Sequence, residues 1–187
     1  MELKEPAMEL HAVNIEVAEN TPLPDSAHNR EYFDHLKKIN DVFYDQIKMA
    51  DQKAAYIFTF LLAFLISSAD GRGVFTVARY AESGTAVMLT SGLLALSSVF
   101  SVISAILVIL PRRNGHGTTL FWGTWGRGRS EFIAAARKQD MAYLFSQYLE
   151  NVDTLSAIAR SKYRFVGFAF HGLVVTVLSY VLLLAQR

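Results

Sequence analysis

The densest cluster of chemically capable residues in this 187-residue sequence is the segment 111–129, PRRNGHGTTLFWGTWGRGR. Arg112, Arg113, Arg127 and Arg129 supply positive charge, Trp122 and Trp125 supply flat stacking surfaces, and the glycines let backbone approach a ligand closely. A helix capped by Ser130 would turn its N-terminal amides toward the same place, an arrangement that suits an anion. The segment is not a Walker A loop, because no lysine followed by Ser or Thr closes the glycine run. The same composition also suits a membrane surface, with arginines among headgroups and tryptophans in the aromatic belt. Both readings stand for Arg112, Arg113, Trp122, Arg127 and Arg129: an anionic or nucleotide ligand, or a lipid interface.

Three further sets lie in or beside apolar runs. On a helix of ~100° per residue, Thr90, Ser97, Ser101 and Ser104 fall within roughly 60° of one another. Hydroxyls so placed suit close helix packing in a membrane, or the lining of a pore formed by several copies. Gly172, Thr176 and Ser179 form a similar small-residue stripe. His171 lies inside an otherwise uncharged run, where an imidazole either bonds a neighbouring hydroxyl or serves proton movement or gating. Asp51 and Lys53 open one apolar run, while Arg160, Lys162, Tyr163 and Arg164 precede another. They mark the membrane boundary, or form a cluster joining the parts on either side of it. Catalytic patterns are absent from the sequence: the five histidines show no metal-ligand spacing, and neither HExxH nor GxSxG occurs. The expectation is a protein that is not an enzyme and has no cofactor or metal. A membrane-embedded enzyme using His116 or His171 is a weak rival.

The elements that must position these residues are written in the hydropathy. The chain is 52% hydrophobic and 19% charged, and most of the apolar excess sits in three blocks at 54–69, 84–110 and 165–185. A bilayer core of about 30 Å needs about 20 helical residues. The second and third blocks meet that length, and the first reaches it with the aliphatic stem of Lys53. The predicted fold is therefore an all-α membrane protein with three transmembrane helices. Fourteen of the 18 Lys and Arg lie in 29–53 and 111–164, against three in 70–83 and the C-terminus. The excess of positive charge predicts a cytoplasmic N-terminus and middle segment, an external loop at 70–83 and an external or periplasmic C-terminus. A near-neutral formal charge of +1 excludes a generally basic nucleic-acid binder, and the absence of cysteine excludes disulfides.

Outside the blocks the chain reads as helix. Tyr32, Leu36, Ile39, Phe43, Ile47 and Ala50 recur at intervals of three or four, and the stripe meets the first block without proline or glycine. Ala142, Phe145, Leu149, Val152, Ser156, Ala159 and Tyr163 do the same before the third block, with Asp140 as a candidate N-cap. Two such extensions predict a cytoplasmic helical bundle beneath the membrane. The domain reading follows: 1–28 an acidic segment, 29–53 an amphipathic helix, 54–110 two membrane helices, 111–164 a loop and helices, and 165–187 the third membrane helix. Segment 1–28 has six acids, one lysine and three prolines, with an alternation at Val13, Ile15 and Val17. It reads as a flexible tail or a short strand, and it lacks the pattern of a signal peptide.

Several short motifs occur in order against these helices: Ala50-Asp51-Gln52-Lys53-Ala54, Leu110-Pro111-Arg112-Arg113, Phe121-Trp122-Gly123, and Leu155-Ser156 with Ala159, Lys162 and Tyr163. In this order the chain, over roughly residues 40–185, resembles the transmembrane effector family of Pycsar antiphage systems in bacteria. The resemblance implies an inner-membrane effector that answers cyclic CMP or cyclic UMP made by a partner cyclase, and the reading of the chain as a three-span membrane protein adds the expectation of a homo-oligomer. It also implies that the response impairs the membrane and halts the infected cell. No cyclic-nucleotide-binding β-barrel is recognisable in the sequence, so a ligand site would have to be built from helices and the 111–129 segment. A non-catalytic membrane scaffold that recruits a cytosolic partner is the alternative.

Overall fold

The computed structural model describes residues 26–81, 84–111 and 118–186. Val13, Ile15 and Val17, together with Arg112, Arg113 and His116, lie outside the described residues. Among those described, the regular structure is entirely helical: α1 (Ser26–Ser67), α2 (Ala69–Gly73), α3 (Val77–Ala81), α4 (Thr85–Ile109), α5 (Trp122–Lys138) and α6 (Met141–Leu184). Three helices are long and apolar enough to cross a membrane, namely α1, α4 and α6. The protein is thus an all-α membrane protein with three spans, as its hydropathy predicts.

No proline or glycine interrupts α1 over its 42 residues, so nothing local ends it until Ser68. There the Ser68 hydroxyl accepts the Gly71 amide at 3.1 Å and starts α2. α6 runs 44 residues from an Asp140 cap, whose carboxylate accepts the Tyr143 amide at 3.0 Å. At 1.5 Å per residue each rod is about 65 Å long, so roughly half of each stands outside a 30 Å hydrocarbon layer. The two rods run parallel: Phe33 meets Tyr148 at one end (5.3 Å between ring centroids) and Phe64 meets Tyr180 at the other (4.8 Å). α4 runs antiparallel between them, as its Ser97–Thr176 and Ser101–Ala169 contacts require.

The inward positions of α1 step alternately by three and four, through Phe33, Leu36, Ala50, Ala54, Ile57 and Leu61, all buried. Val152, Ala159, Lys162, Val166 and Ala169 do the same on α6. A seven-residue repeat winds two parallel helices into a left-handed coiled coil. Here one repeat passes from the extensions into the apolar spans without a break. Its phase differs slightly from the sequence expectation. Tyr32 is 63% exposed while neighbouring Phe33 is buried against Tyr148, and Leu149 is 46% exposed. Nearer the spans the expected stripes keep their phase, since Leu36, Ala50, Val152 and Ala159 are all buried.

Within the spans the core is Ala50, Ala54, Ile57 and Leu61 of α1 with Ala105 and Val108 of α4 and Val166 and Ala169 of α6. Lipid offers no hydrophobic gain for helix pairing, so the four alanines in this set matter because they let the helices approach. α6 comes close to α4 at Gly172, where an added Cβ would lie 2.8 Å from Ser101 Cβ and 3.1 Å from its Cα.

Candidate functional site

At the lower end of the spans, an ion pair joins the two rods. Lys162 occupies an inward position of α6, its side chain only 7% exposed, and its ammonium donates to the Asp51 carboxylate of α1. A buried ammonium needs such a partner, because desolvation otherwise exceeds any packing gain. Two residues on, the Lys53 ammonium lies 5.5 Å from the centroid of the Tyr163 ring, a cation–π contact. Of the three cations that could meet Asp51, the structure selects Lys162. Arg160 and Arg164 sit on the outward face of α6, where with Asp153, Ser156, Ala157 and Ser161 they line a shallow groove of about 450 Å³.

About 17 Å away along α6, eleven residues nearer the rod's start, lies a polar layer that the sequence patterns do not single out. Asn151 donates to Asn40 of α1 and accepts from the Thr118 hydroxyl at 3.3 Å. The Gln147 carbonyl accepts both the amide and the hydroxyl of Thr119, at 2.8 and 3.1 Å. Thr124 closes the layer by donating to the Thr118 and Phe121 carbonyls. The signal that could have revealed it is the polar Asn40 at an inward step of an apolar repeat. Both inter-rod ties, Asn40 to Asn151 and Asp51 to Lys162, join residues 111 apart in number, so they hold a single register.

α5 hangs from this layer, and it revises the expected 111–129 loop. The helix begins at Trp122 rather than at Ser130, with Phe121 as an N-cap that makes no side-chain bond. Its glycines serve packing. A Cβ at Gly123 would lie 2.6 Å from the Phe121 ring, and one at Gly128 would lie 2.6 Å from Thr119 Cγ2. Helical geometry then separates the expected ligand residues. Trp122, 82% exposed, shares a face with Arg129, whereas Arg127 lies roughly 160° from Arg129 on the opposite side. The helix ends in the left-handed Gln139 (φ 55°), which turns the chain into α6. Beside this turn, Phe132, Ala135, Ala136, Met141, Tyr143 and Leu144 line an open apolar cleft of about 510 Å³.

Inside the spans, the hydroxyl stripe of α4 faces α6. Ser97 and Thr176 share a hydrogen bond at 2.9 Å, Ser101 donates to the Ala169 carbonyl at 2.6 Å, and Thr90 reaches Gln186 at 3.2 Å. Ser97, Ser101 and Ser104 are buried within the single chain. His171 is exposed on the outward side of α6, its Nδ1 2.6 Å from the Gly167 carbonyl one turn back. At the far end, Arg79 lies 3.5 Å from the buried Asp70 and donates to Ser91 at 3.4 Å, which ties the 70–81 connection to α4.

No group of three or more potential metal ligands occurs among the described residues. Two rods in one register pass from a polar layer, through a boundary ion pair, into a tightly packed bundle of spans. No curated protein and no solved structure matches the chain. Residues 35–186, which hold most of α1, all of α6, the boundary pair and all three spans, match the family described as the Pycsar effector protein domain, and the chain belongs to that family.

Proposed function

We propose that this protein is the membrane-acting arm of a Pycsar-type antiphage response, switched on by a cyclic pyrimidine mononucleotide from a partner cyclase. In this reading the N-terminus and segment 111–164 face the cytoplasm of a bacterial cell, and the spans lie in the inner membrane. The family match over 35–186 carries the reading, because that region includes both the ligand-accessible helices and the spans. The protein's task is then mechanical rather than catalytic.

The ligand contact proposed here is Arg129 with Trp122, which share one face of α5. A guanidinium suits a cyclic phosphate, and an indole suits the base. Arg112 and Arg113 are additional anion contacts in this proposal, and Arg127 is assigned none. Binding would shift α5, which is bonded through Thr118 and Thr119 to Asn151 and Gln147, and so to both rods. Because Ser97, Ser101 and Ser104 are internal to the chain, any hydroxyl-lined path for ions requires α4 to separate from α6. Cyclic CMP or cyclic UMP is the expected ligand; no nucleic-acid polymer is involved.

Calorimetric titration of the detergent-solubilised protein should show saturable heat with one of the two nucleotides, and heat with neither removes the ligand claim. Dye-loaded liposomes carrying the protein should leak on adding that nucleotide. Binding without leakage would instead support a scaffold that recruits a cytosolic partner.

A further inference from the structure

One side of α5 is an aromatic stripe. Trp122, Trp125, Arg129, Phe132, Ile133 and Ala136 fall within about 100° of one another around the helix. Trp122, Trp125 and Ile133 are exposed, and the stripe leads into the apolar cleft between α5 and the start of α6. Tyr143 lines that cleft, and its hydroxyl is buried without a hydrogen-bond partner among the described residues. An apolar patch of this kind marks a contact surface. Lipid is too far away to cover it. Gln147, to which Thr119 ties the start of α5, precedes the apolar block at Phe165 by about 27 Å of helix, and Met141 beyond the other end precedes it by about 36 Å.

The chain's own N-terminal segment joins the fold beside this surface. The ring contact of Phe33 with Tyr148 sets the relative heights of the rods at this end. Seven residues earlier on each rod, Ser26 opens α1 level with Met141, which lines the cleft. Packed helices are about 10 Å apart, so residues 1–25 meet α1 about that far from the cleft. At ~3.3 Å per residue, an extended chain carries Val17 and Val13 up to about 30 and 43 Å from Ser26. That exceeds the length of α5, about 25 Å, so its whole stripe is within reach. The charges are complementary. Residues 1–25 hold Glu2, Glu5, Glu9, Glu16, Glu19 and Asp25 against Lys4 alone. α5 holds four bases against Glu131, with Arg129 inside the stripe and Arg137 at its edge. On the neighbouring turns of α1, Arg30, Lys37 and Lys38 outnumber Glu31 and Asp34. Asp140, the acid of the cleft, is already engaged by the Tyr143 amide.

We propose that residues 1–25 dock on the α5 stripe and cleft of their own chain. The apolar alternation Val13, Ile15 and Val17 meets the aromatic side chains, and the flanking carboxylates meet Arg129 and Arg137. Docking covers Trp122 and Arg129 and so competes with the nucleotide, a consequence that rests on the proposed function, whereas the docking itself does not. The sequence contains no cysteine, which makes disulfide mapping clean. In membranes without nucleotide, full-length protein with Val13→Cys and Ile133→Cys should close a disulfide within one chain on mild oxidation. It should do so several-fold faster than Val13→Cys with Ala134→Cys, because Ala134 is exposed about 100° away, off the stripe, at the same reach. Equal rates for the two pairs overturn the proposal. Covalent dimers in place of the internal bridge also overturn it, since the segment would then serve another copy. The only two tryptophans of the sequence both lie on the stripe. Full-length protein carrying Glu9→Lys, Glu16→Lys and Glu19→Lys should therefore show about twofold stronger quenching of tryptophan emission by acrylamide, as repulsion by the basic helix releases the segment. Quenching equal to that of the parent overturns the proposal as well.

Discussion

Lys162 shows how one residue can hold a boundary. Its ammonium is buried at an inward position of a coiled coil and is bonded to a single carboxylate, Asp51. Removing the carboxylate strands the charge, so Asp51→Ala should lower unfolding stability by about 3 kcal/mol. Asp51→Ala with Lys162→Met should recover most of that loss, since an apolar side chain of similar length fills the site without a desolvation cost. Helix loss followed by circular dichroism in detergent measures both. A single variant as stable as the parent would remove the ion pair from the account of how the rods are held. The Arg79–Asp70 contact plays a similar part at the other end of the spans, reinforced by Ser91.

At the scale of elements, helix separation in the membrane is set by side-chain size. Gly172 lies against the backbone of Ser101, so Gly172→Val must push α4 away and stretch the Ser101 bond to the Ala169 carbonyl. The expected loss is about 1–3 kcal/mol, by overpacking. Gly92→Ala is the contrast. A Cβ there meets nothing within 4 Å, and the change should be neutral or stabilising by about 0.5–1 kcal/mol through helix propensity. Thermal unfolding of the two variants beside the parent decides the point, and equal effects would mean that α4 and α6 are not held at this crossing. The glycines of α5 follow the same logic outside the spans, since Gly123 and Gly128 make room for Phe121 and Thr119.

For the whole molecule, one uninterrupted repeat joins the two extensions to the spans, and the proposed function uses it to carry a shift from one end of a rod to the other. Asn40 and Asn151 add specificity to that repeat, because a half-buried polar pair at inward positions favours its own register over others. The double variant Asn40→Leu with Asn151→Leu should unfold at the same or a higher temperature. It should nevertheless lose most of the nucleotide-dependent liposome leakage, because the rods can then take more than one register. Leakage at the parental level would locate the transmission outside this layer. Changing Arg129 to Ala should weaken nucleotide affinity by tenfold or more, and Arg127→Ala should leave it within about twofold, since charge-assisted bonds are worth about 1.5–3 kcal/mol. Calorimetry on both variants tests the division of labour on α5.

The sequence by itself determined the three spans, the continuity of the two rods and the cap at Asp140. Each depends on an order of residues along one stretch: a long apolar run, the absence of proline, or an acid placed before the first helical turn. Gly172 and the hydroxyls of α4 were likewise legible as packing material. Only the tertiary structure decided which cation meets Asp51, that Phe33 rather than Tyr32 turns inward, and that Asn40 has Asn151 as its partner. It also decided that Trp122 begins a helix, which divides Arg127 from Arg129. These outcomes depend on the rotation and register of helices more than a hundred residues apart in sequence. A one-residue turn of a helix moves each side chain by about 100°, and only the facing surface can choose among the alternatives.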